Sequence, residues 1–154
     1  MAADVYGDSS DIGLYDQSIA NGFFRVSDFK NTLSRSGDLY CELYIYFVNG
    51  EAQTAIISVR GTVTVGNVIQ DVKSWFDEVT GIALHGNYPS KYVNKVLSFY
   101  HSAQRYMTAK YSNKLTPIII CGHSLGGAIA KLMVAQYGVV KAVVFNAPGV
   151  ARLV

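Results

Sequence analysis

The sequence contains few of the residues that cross-link or interrupt a chain: its 154 residues include 2 cysteines, 3 prolines and 1 tryptophan. Cys41 and Cys121 are too few for a disulfide framework and too isolated for a zinc site. We therefore expect two buried free thiols, which suit a reducing compartment. Because there is no repeat, low-complexity tract or linker, the sequence predicts a single domain over residues 1–154.

An excess of charge of one sign is also missing, since 13 Lys and Arg stand against 11 Asp and Glu. With its charges nearly balanced, the sequence shows no basic stripe of the kind that binds phosphate backbones. Nucleic acid is therefore not an expected partner. No apolar run reaches the roughly 18–20 residues of a transmembrane helix. The first residues, MAADVYGDSSDIG, lack the basic start and apolar stretch of a signal peptide, which favours a cytoplasmic location.

Residues 39–59 contain a predicted β-hairpin. Residues 39–48 and 54–59 are rich in β-branched and aromatic side chains, and Asn49 and Gly50 between them can supply the positive φ angles of a tight turn. Residues 1–31 are polar with scattered apolar side chains, and we expect one or two short helices there.

After the hairpin, the hydrophobic period changes to that of helices. Apolar residues recur at helical spacing after Asn67 and again from Pro89 to Tyr111. The run of residues 117–121 is wholly apolar, as in a buried parallel strand that ends at Gly122. A predicted helix over 125–137 is capped by Gly138 and followed by a strand over 139–145. A strand, helix and strand of these lengths predict a right-handed crossover in an α/β sheet.

The motif G-x-S-x-G stands where that predicted strand meets its helix, within GHSLGG at residues 122–127. A serine at the apex of such a turn can act as a nucleophile, because the helix N-terminus stabilises a developing oxyanion. Gly122 and Gly126 would remove Cβ atoms that collide across the turn, and Gly127 would let the helix approach the sheet. A glycine-rich loop without catalysis is the alternative, whereas no phosphate-binding pattern is present.

Acyl transfer needs a second oxyanion donor, and the segment Arg60-Gly61-Thr62 after the second hairpin strand is the candidate. Read alone, a segment of this kind is more often a plain turn that ends a strand. Together with Ser124, it favours an oxyanion loop.

Five segments in register make the chain resemble the class 3 lipases of the α/β-hydrolase fold. These are ISVRGT at 57–62, NVIQDV at 67–72, LHG at 84–86, IICGHSLGGA at 119–128 and VFNAPG at 144–149. The resemblance covers roughly residues 52–150. It implies a mostly parallel sheet with flanking helices, and a serine hydrolase that needs no metal or other cofactor. Its substrates would be lipid esters, triacylglycerol or phospholipid, met at a lipid–water interface.

The resemblance also implies roles for individual residues. Ser124 would be the nucleophile, and Thr62 with the backbone N–H of Leu125 would form the oxyanion hole. Gly122, His123, Gly126 and Gly127 would complete the turn around the serine. The helix from Asn67 would be either a mobile lid or an ordinary core helix.

The acid and base of a catalytic triad have no counterpart in the last part of the sequence. In α/β-hydrolases they follow the serine, yet residues 125–154 contain no Asp, Glu or His. We assign none of the earlier candidates to a triad: His85, His101, His123, Asp71 and Asp77. The chain is therefore expected to be truncated, with an exposed sheet edge that permits self-association. An acyl-binding protein without activity and an acyltransferase are the alternatives to a hydrolase.

Overall fold

The computed structural model describes residues 22–26, 29, 40–61, 90–111, 117–151 and 153. These residues form five strands and two helices. In chain order the elements are β1 (Phe23–Arg25), β2 (Cys41–Val48), β3 (Glu51–Val59), α1 (Ser90–Lys110), β4 (Ile118–His123), α2 (Leu125–Tyr137) and β5 (Lys141–Phe145). The predicted α/β class is confirmed, because α2 connects the parallel neighbours β4 and β5.

The sheet is mixed, with strand order β1-β2-β3-β4-β5. The pairs β1–β2 and β2–β3 are antiparallel, whereas β3–β4 and β4–β5 are parallel. The prediction of a mostly parallel sheet was therefore wrong for this part of the chain. The hairpin and β1 place antiparallel strands together at one side of the sheet, as in many mixed α/β sheets.

The predicted hairpin is confirmed by the pairing of β2 with β3 around Asn49 and Gly50. These residues have φ angles of 53° and 80°. Positive φ at both central residues gives a turn whose twist matches that of the flanking strands.

The N-terminal part contains a strand where helices were expected. Residues of β1 pair with β2, and the rings of Phe23 and Tyr46 lie 4.8 Å apart. Aromatic residues stabilise a strand when they pair with side chains of the neighbouring strand. This stabilisation depends on tertiary contact, so the local sequence does not reveal it. Most of the rest of residues 1–31 lies outside the described residues.

Both described helices match their predictions. The helix expected after Pro89 is α1, and α2 has the predicted bounds. Gly138 ends α2 in the left-handed conformation, with φ 69°, and its N–H donates to the carbonyl of Met133. Neither helix is long and apolar enough to cross a membrane. The helix predicted from Asn67 lies outside the described residues.

The core lies between the two helices and one face of the sheet. Alternate residues of the central strands point into it, including Leu43, Ile57 and Ile120, and each is almost fully buried. Burial of such a side chain contributes about 1.5–3 kcal/mol. Cys41 and Cys121 are buried and unbridged, as predicted. This packing fixes the positions of β3, β4 and β5, whose carboxyl ends meet at one edge.

Candidate active site

The carboxyl ends of the three parallel strands define the candidate site. In register, Val59 of β3 lies beside Gly122 of β4, and His123 of β4 lies beside Phe145 of β5. Open α/β sheets bind ligands at this edge, because the loops that leave parallel strands converge there. Ser124 lies at the same edge, directly after β4.

Ser124 is the only residue between the end of β4 and the start of α2. Its backbone angles are φ 54° and ψ −125°. A residue with a Cβ atom rarely adopts this conformation, which costs about 1–3 kcal/mol and persists only when its surroundings enforce it. The sequence prediction of an abrupt turn with serine at its apex agrees with this geometry.

Backbone hydrogen bonds hold Ser124 from both sides. Its N–H donates to the carbonyl of Phe145 over 3.1 Å, and its carbonyl accepts from the N–H of Ala128 over 3.1 Å. The first bond ties the turn to β5 and the second ties it to α2. The serine is 8 % exposed, and its side chain does not cap the helix.

Glycines make this tight turn possible. A Cβ atom on Gly122 would lie 2.7 Å from the backbone nitrogen of Gly127, and one on Gly126 would lie 3.0 Å from the carbonyl carbon of Arg60. The closest atoms are backbone, which cannot move aside as a flexible side chain can. The predicted collision across the turn is therefore confirmed for Gly122, whereas a Cβ atom on Gly126 would collide with the end of β3.

The N-terminus of α2 gives the site its electrostatic character. The first N–H groups of a helix have no partner within the helix and carry partial positive charge. Leu125 supplies the first of them, immediately after Ser124. If the serine oxygen attacked a carbonyl carbon, the oxyanion formed on the carbonyl oxygen would thus develop near a positive dipole end.

The chain leaves β3 beside the same turn. The N–H of Arg60 donates to the carbonyl of Tyr40 over 2.9 Å, and its guanidinium carbon lies 5.3 Å from the centre of the Tyr40 ring. These contacts, with the close approach of Gly126, fix Arg60 at the edge of the site. Thr62, the predicted second oxyanion donor, lies outside the described residues.

Two histidines fall within the described part of the chain. His123 is the last residue of β4, beside the turn, and His101 is exposed on α1 with its ring 6.0 Å from that of Tyr100. The other residues that were considered for a triad but not assigned to it lie outside the described residues: His85, Asp71 and Asp77.

Neither cysteine is activated as a nucleophile. Burial raises the pKa of the Cys121 thiol, and a hydrogen bond with Ser58 lowers it by less. Burial also raises the pKa of Cys41, although the nearby Arg60 charge opposes the shift. Both thiols stay protonated at neutral pH, and the thiolate is the reactive form.

Sequence reasoning did not find a buried polar cluster on the opposite face of the sheet. The carboxylate of Glu42 accepts hydrogen bonds from the hydroxyls of Tyr40 (2.6 Å) and Tyr44 (2.7 Å) and pairs with Arg25 (3.3 Å). The alternation Tyr-x-Glu-x-Tyr at 40–44 was the available signal, because period two places these side chains on one face. Tyr40 links this cluster to Arg60.

An α/β sheet with a serine in a strained turn between a parallel strand and a helix is the arrangement that serine hydrolases of the α/β class use. The family model described as lipase (class 3) matches residues 56–146, which is more than half of the chain. The chain therefore belongs to the class 3 lipase family, and the family implies the α/β-hydrolase fold. Comparisons with curated proteins and with solved structures found no match.

Proposed function

We propose that the chain is a serine carboxylic-ester hydrolase that acts on lipid esters through an acyl-enzyme on Ser124. The observation that carries this proposal is the strained backbone of Ser124 at the N-terminus of α2, in a chain of a lipase family. Strain of this kind is kept where the fold enforces it, and such positions cluster at functional sites.

In the proposed reaction, a base takes the proton of the Ser124 hydroxyl while its oxygen attacks the ester carbonyl carbon. The carbonyl oxygen becomes an oxyanion, held by the N–H of Leu125 and by Thr62. The bond to the alcohol then breaks, and the alcohol leaves with the proton. Water attacks the acyl-enzyme, which releases the fatty acid and restores Ser124.

The other residues of the turn have supporting roles in this proposal. Gly122, Gly126 and Gly127 allow the backbone segments to approach, and His123 ends the strand that carries the serine. Membership of the family supports a lipid substrate, triacylglycerol or phospholipid. We further propose that the reaction takes place at a lipid–water interface.

The proposal is tested by ester turnover. The chain and its Ser124→Ala variant are compared on a dissolved short-chain nitrophenyl ester and on an emulsified triacylglycerol. We expect turnover by the chain and only background hydrolysis by the variant. Equal rates would overturn the proposal. Product analysis with an added alcohol separates hydrolysis from acyl transfer.

A second candidate is an acyl-binding protein without catalysis. This candidate predicts no turnover by either protein, together with saturable displacement of a fluorescent fatty-acid analogue. The two candidates therefore differ in the first measurement.

The sheet edge supports a further part of the proposal, self-association. Strand β5 ends the described sheet, and its side chains Val143 and Phe145 are 39 % and 51 % exposed. An edge strand offers backbone groups to another strand. We expect the sedimentation coefficient to rise with protein concentration and the rise to be smaller in Val143→Lys. Concentration-independent sedimentation of the unmodified chain would exclude self-association.

A further inference from the structure

The loop that follows β5 lies against the turn at Ser124. At its start, the carbonyl of Phe145 accepts the Ser124 N–H. Asn146 then turns the chain with a φ of 45°. Ala147 lies so close to α2 that a Cβ atom on Gly127 would be 2.6 Å from the Cβ atom of Ala147. The loop is thus one wall of the turn that carries the serine.

A lysine on α2 holds this loop in place. The ammonium of half-buried Lys131 donates to the carbonyl of Ala147 over 3.2 Å and to that of Pro148 over 3.0 Å. Hydrogen bonds from a charged donor are stronger than those between neutral groups. Lys131 therefore joins the second turn of α2 to the loop that begins at Phe145, whose carbonyl accepts the hydrogen bond from the Ser124 N–H.

We propose that Lys131 is a positioning residue for Ser124. Its ammonium fixes the loop carbonyls, the loop fixes the end of β5, and the Phe145 carbonyl fixes the backbone of the serine. A strained residue needs such support, because without it the backbone relaxes to a common conformation. The effect on the reaction rests on the proposed function, whereas the effect on the Ser124 backbone does not.

Three variants isolate this role. Lys131→Met removes the ammonium and keeps most of the apolar stem, and Lys131→Arg keeps a charged donor. Gln136→Met is the matched control: Gln136 also lies on α2 and donates to a later carbonyl, that of Leu153 over 2.8 Å, but away from the turn. Thermal unfolding of each variant shows how much global stability changes.

The direct measurement is hydrogen exchange at the Ser124 amide in the whole chain. Because this N–H is bonded to Phe145, we expect exchange to be about tenfold faster in Lys131→Met, while the Met substitution at Gln136 changes it less than about twofold. The Arg variant should recover most of the protection. Unchanged protection in a folded Lys131→Met chain would overturn the proposal. If that variant does not fold, Lys131→Gln, which keeps a neutral donor, replaces it in the same comparison.

Labelling of Ser124 by a fluorophosphonate separates this proposal from the proposed function. We expect labelling to be about tenfold slower in Lys131→Met, since small displacements of a reacting group slow reactions strongly. If the unmodified chain takes up no probe but the exchange rates differ as expected, the hydrolase proposal fails and the positioning role stands. If the unmodified chain is labelled but exchange at Ser124 does not respond to Lys131→Met, the positioning role fails and the nucleophile stands.

Discussion

Two turns at opposite ends of the sheet use similar φ angles in different surroundings. In the hairpin turn, Asn49 has φ 53°, and a Cβ atom on Gly50 would meet nothing within 4 Å. In the turn after β4, Ser124 has φ 54°, but Cβ atoms on the neighbouring Gly122 and Gly126 would collide with backbone. The first turn is open and local, whereas the second is enclosed by three strands and a helix.

The residue types differ in the same way. Asn and Gly accept positive φ at little cost, which explains the hairpin without reference to the rest of the fold. Serine is a poor choice on conformational grounds, so packing and hydrogen bonds must hold it there. The comparison therefore supports the proposal that Ser124 acts through its hydroxyl.

The largest expected effect comes from adding one methyl group at each turn. Gly126→Ala places a Cβ atom against the backbone of Val59 and Arg60, and we expect a loss of about 3 kcal/mol or more in the free energy of unfolding. Gly50→Ala meets open space but keeps φ 80°, and we expect a loss of about 1–2 kcal/mol. Urea unfolding of both variants measures the difference. Equal losses would contradict the contrast between an enclosed and an open turn.

A smaller effect is expected from relieving the strain itself. Ser124→Gly and Ser124→Ala both remove the hydroxyl, but only the glycine removes the Cβ atom at positive φ. We expect the glycine variant to be more stable than the alanine variant by about 1 kcal/mol.

The matched substitution at the other turn, Asn49→Gly, should change the free energy of unfolding by less than about 0.5 kcal/mol, because asparagine already tolerates this conformation. The same urea experiments provide all three values. A glycine variant of Ser124 that is no more stable than the alanine variant would show that the serine backbone is not strained.

The smallest expected effect concerns the thiol that lies on β4, near the enclosed turn. Burial raises the pKa of Cys121, so the thiolate fraction near pH 8 is small and increases only as the pH rises toward that raised value. We expect slow alkylation by iodoacetamide in the native chain, faster alkylation at higher pH, and rapid alkylation in urea. Rapid native alkylation at pH 7 would mean that this end of the sheet is more open than the structure shows.

Local signals predicted the elements that carry the serine. The bounds of α2 and its Gly138 cap follow from helical spacing and from a glycine at a left-handed position. The hairpin follows from Asn49 and Gly50. In each case the deciding interactions join residues that are close in sequence, so a pattern of a few residues was sufficient.

Contacts between distant residues were not predictable in the same way. Strand β1 has three residues and exists through its pairing with β2. Lys131 bonds to residues 16 and 17 positions away, and nothing in its local sequence distinguishes it from a lysine on a solvated helix face. How many strand pairs are parallel also depends on the order of the strands in the sheet, which local sequence does not specify. These features come from tertiary packing, which hydrophobic periodicity and composition do not specify.

The central claim, that Ser124 is an activated nucleophile, is tested most directly by intact-mass analysis after reaction with a fluorophosphonate, followed by peptide mapping. We expect one adduct per chain, located on Ser124, absent in Ser124→Ala and lost when the chain is unfolded before the reaction. A folded chain that takes up no probe, or carries the adduct on another residue, would contradict it.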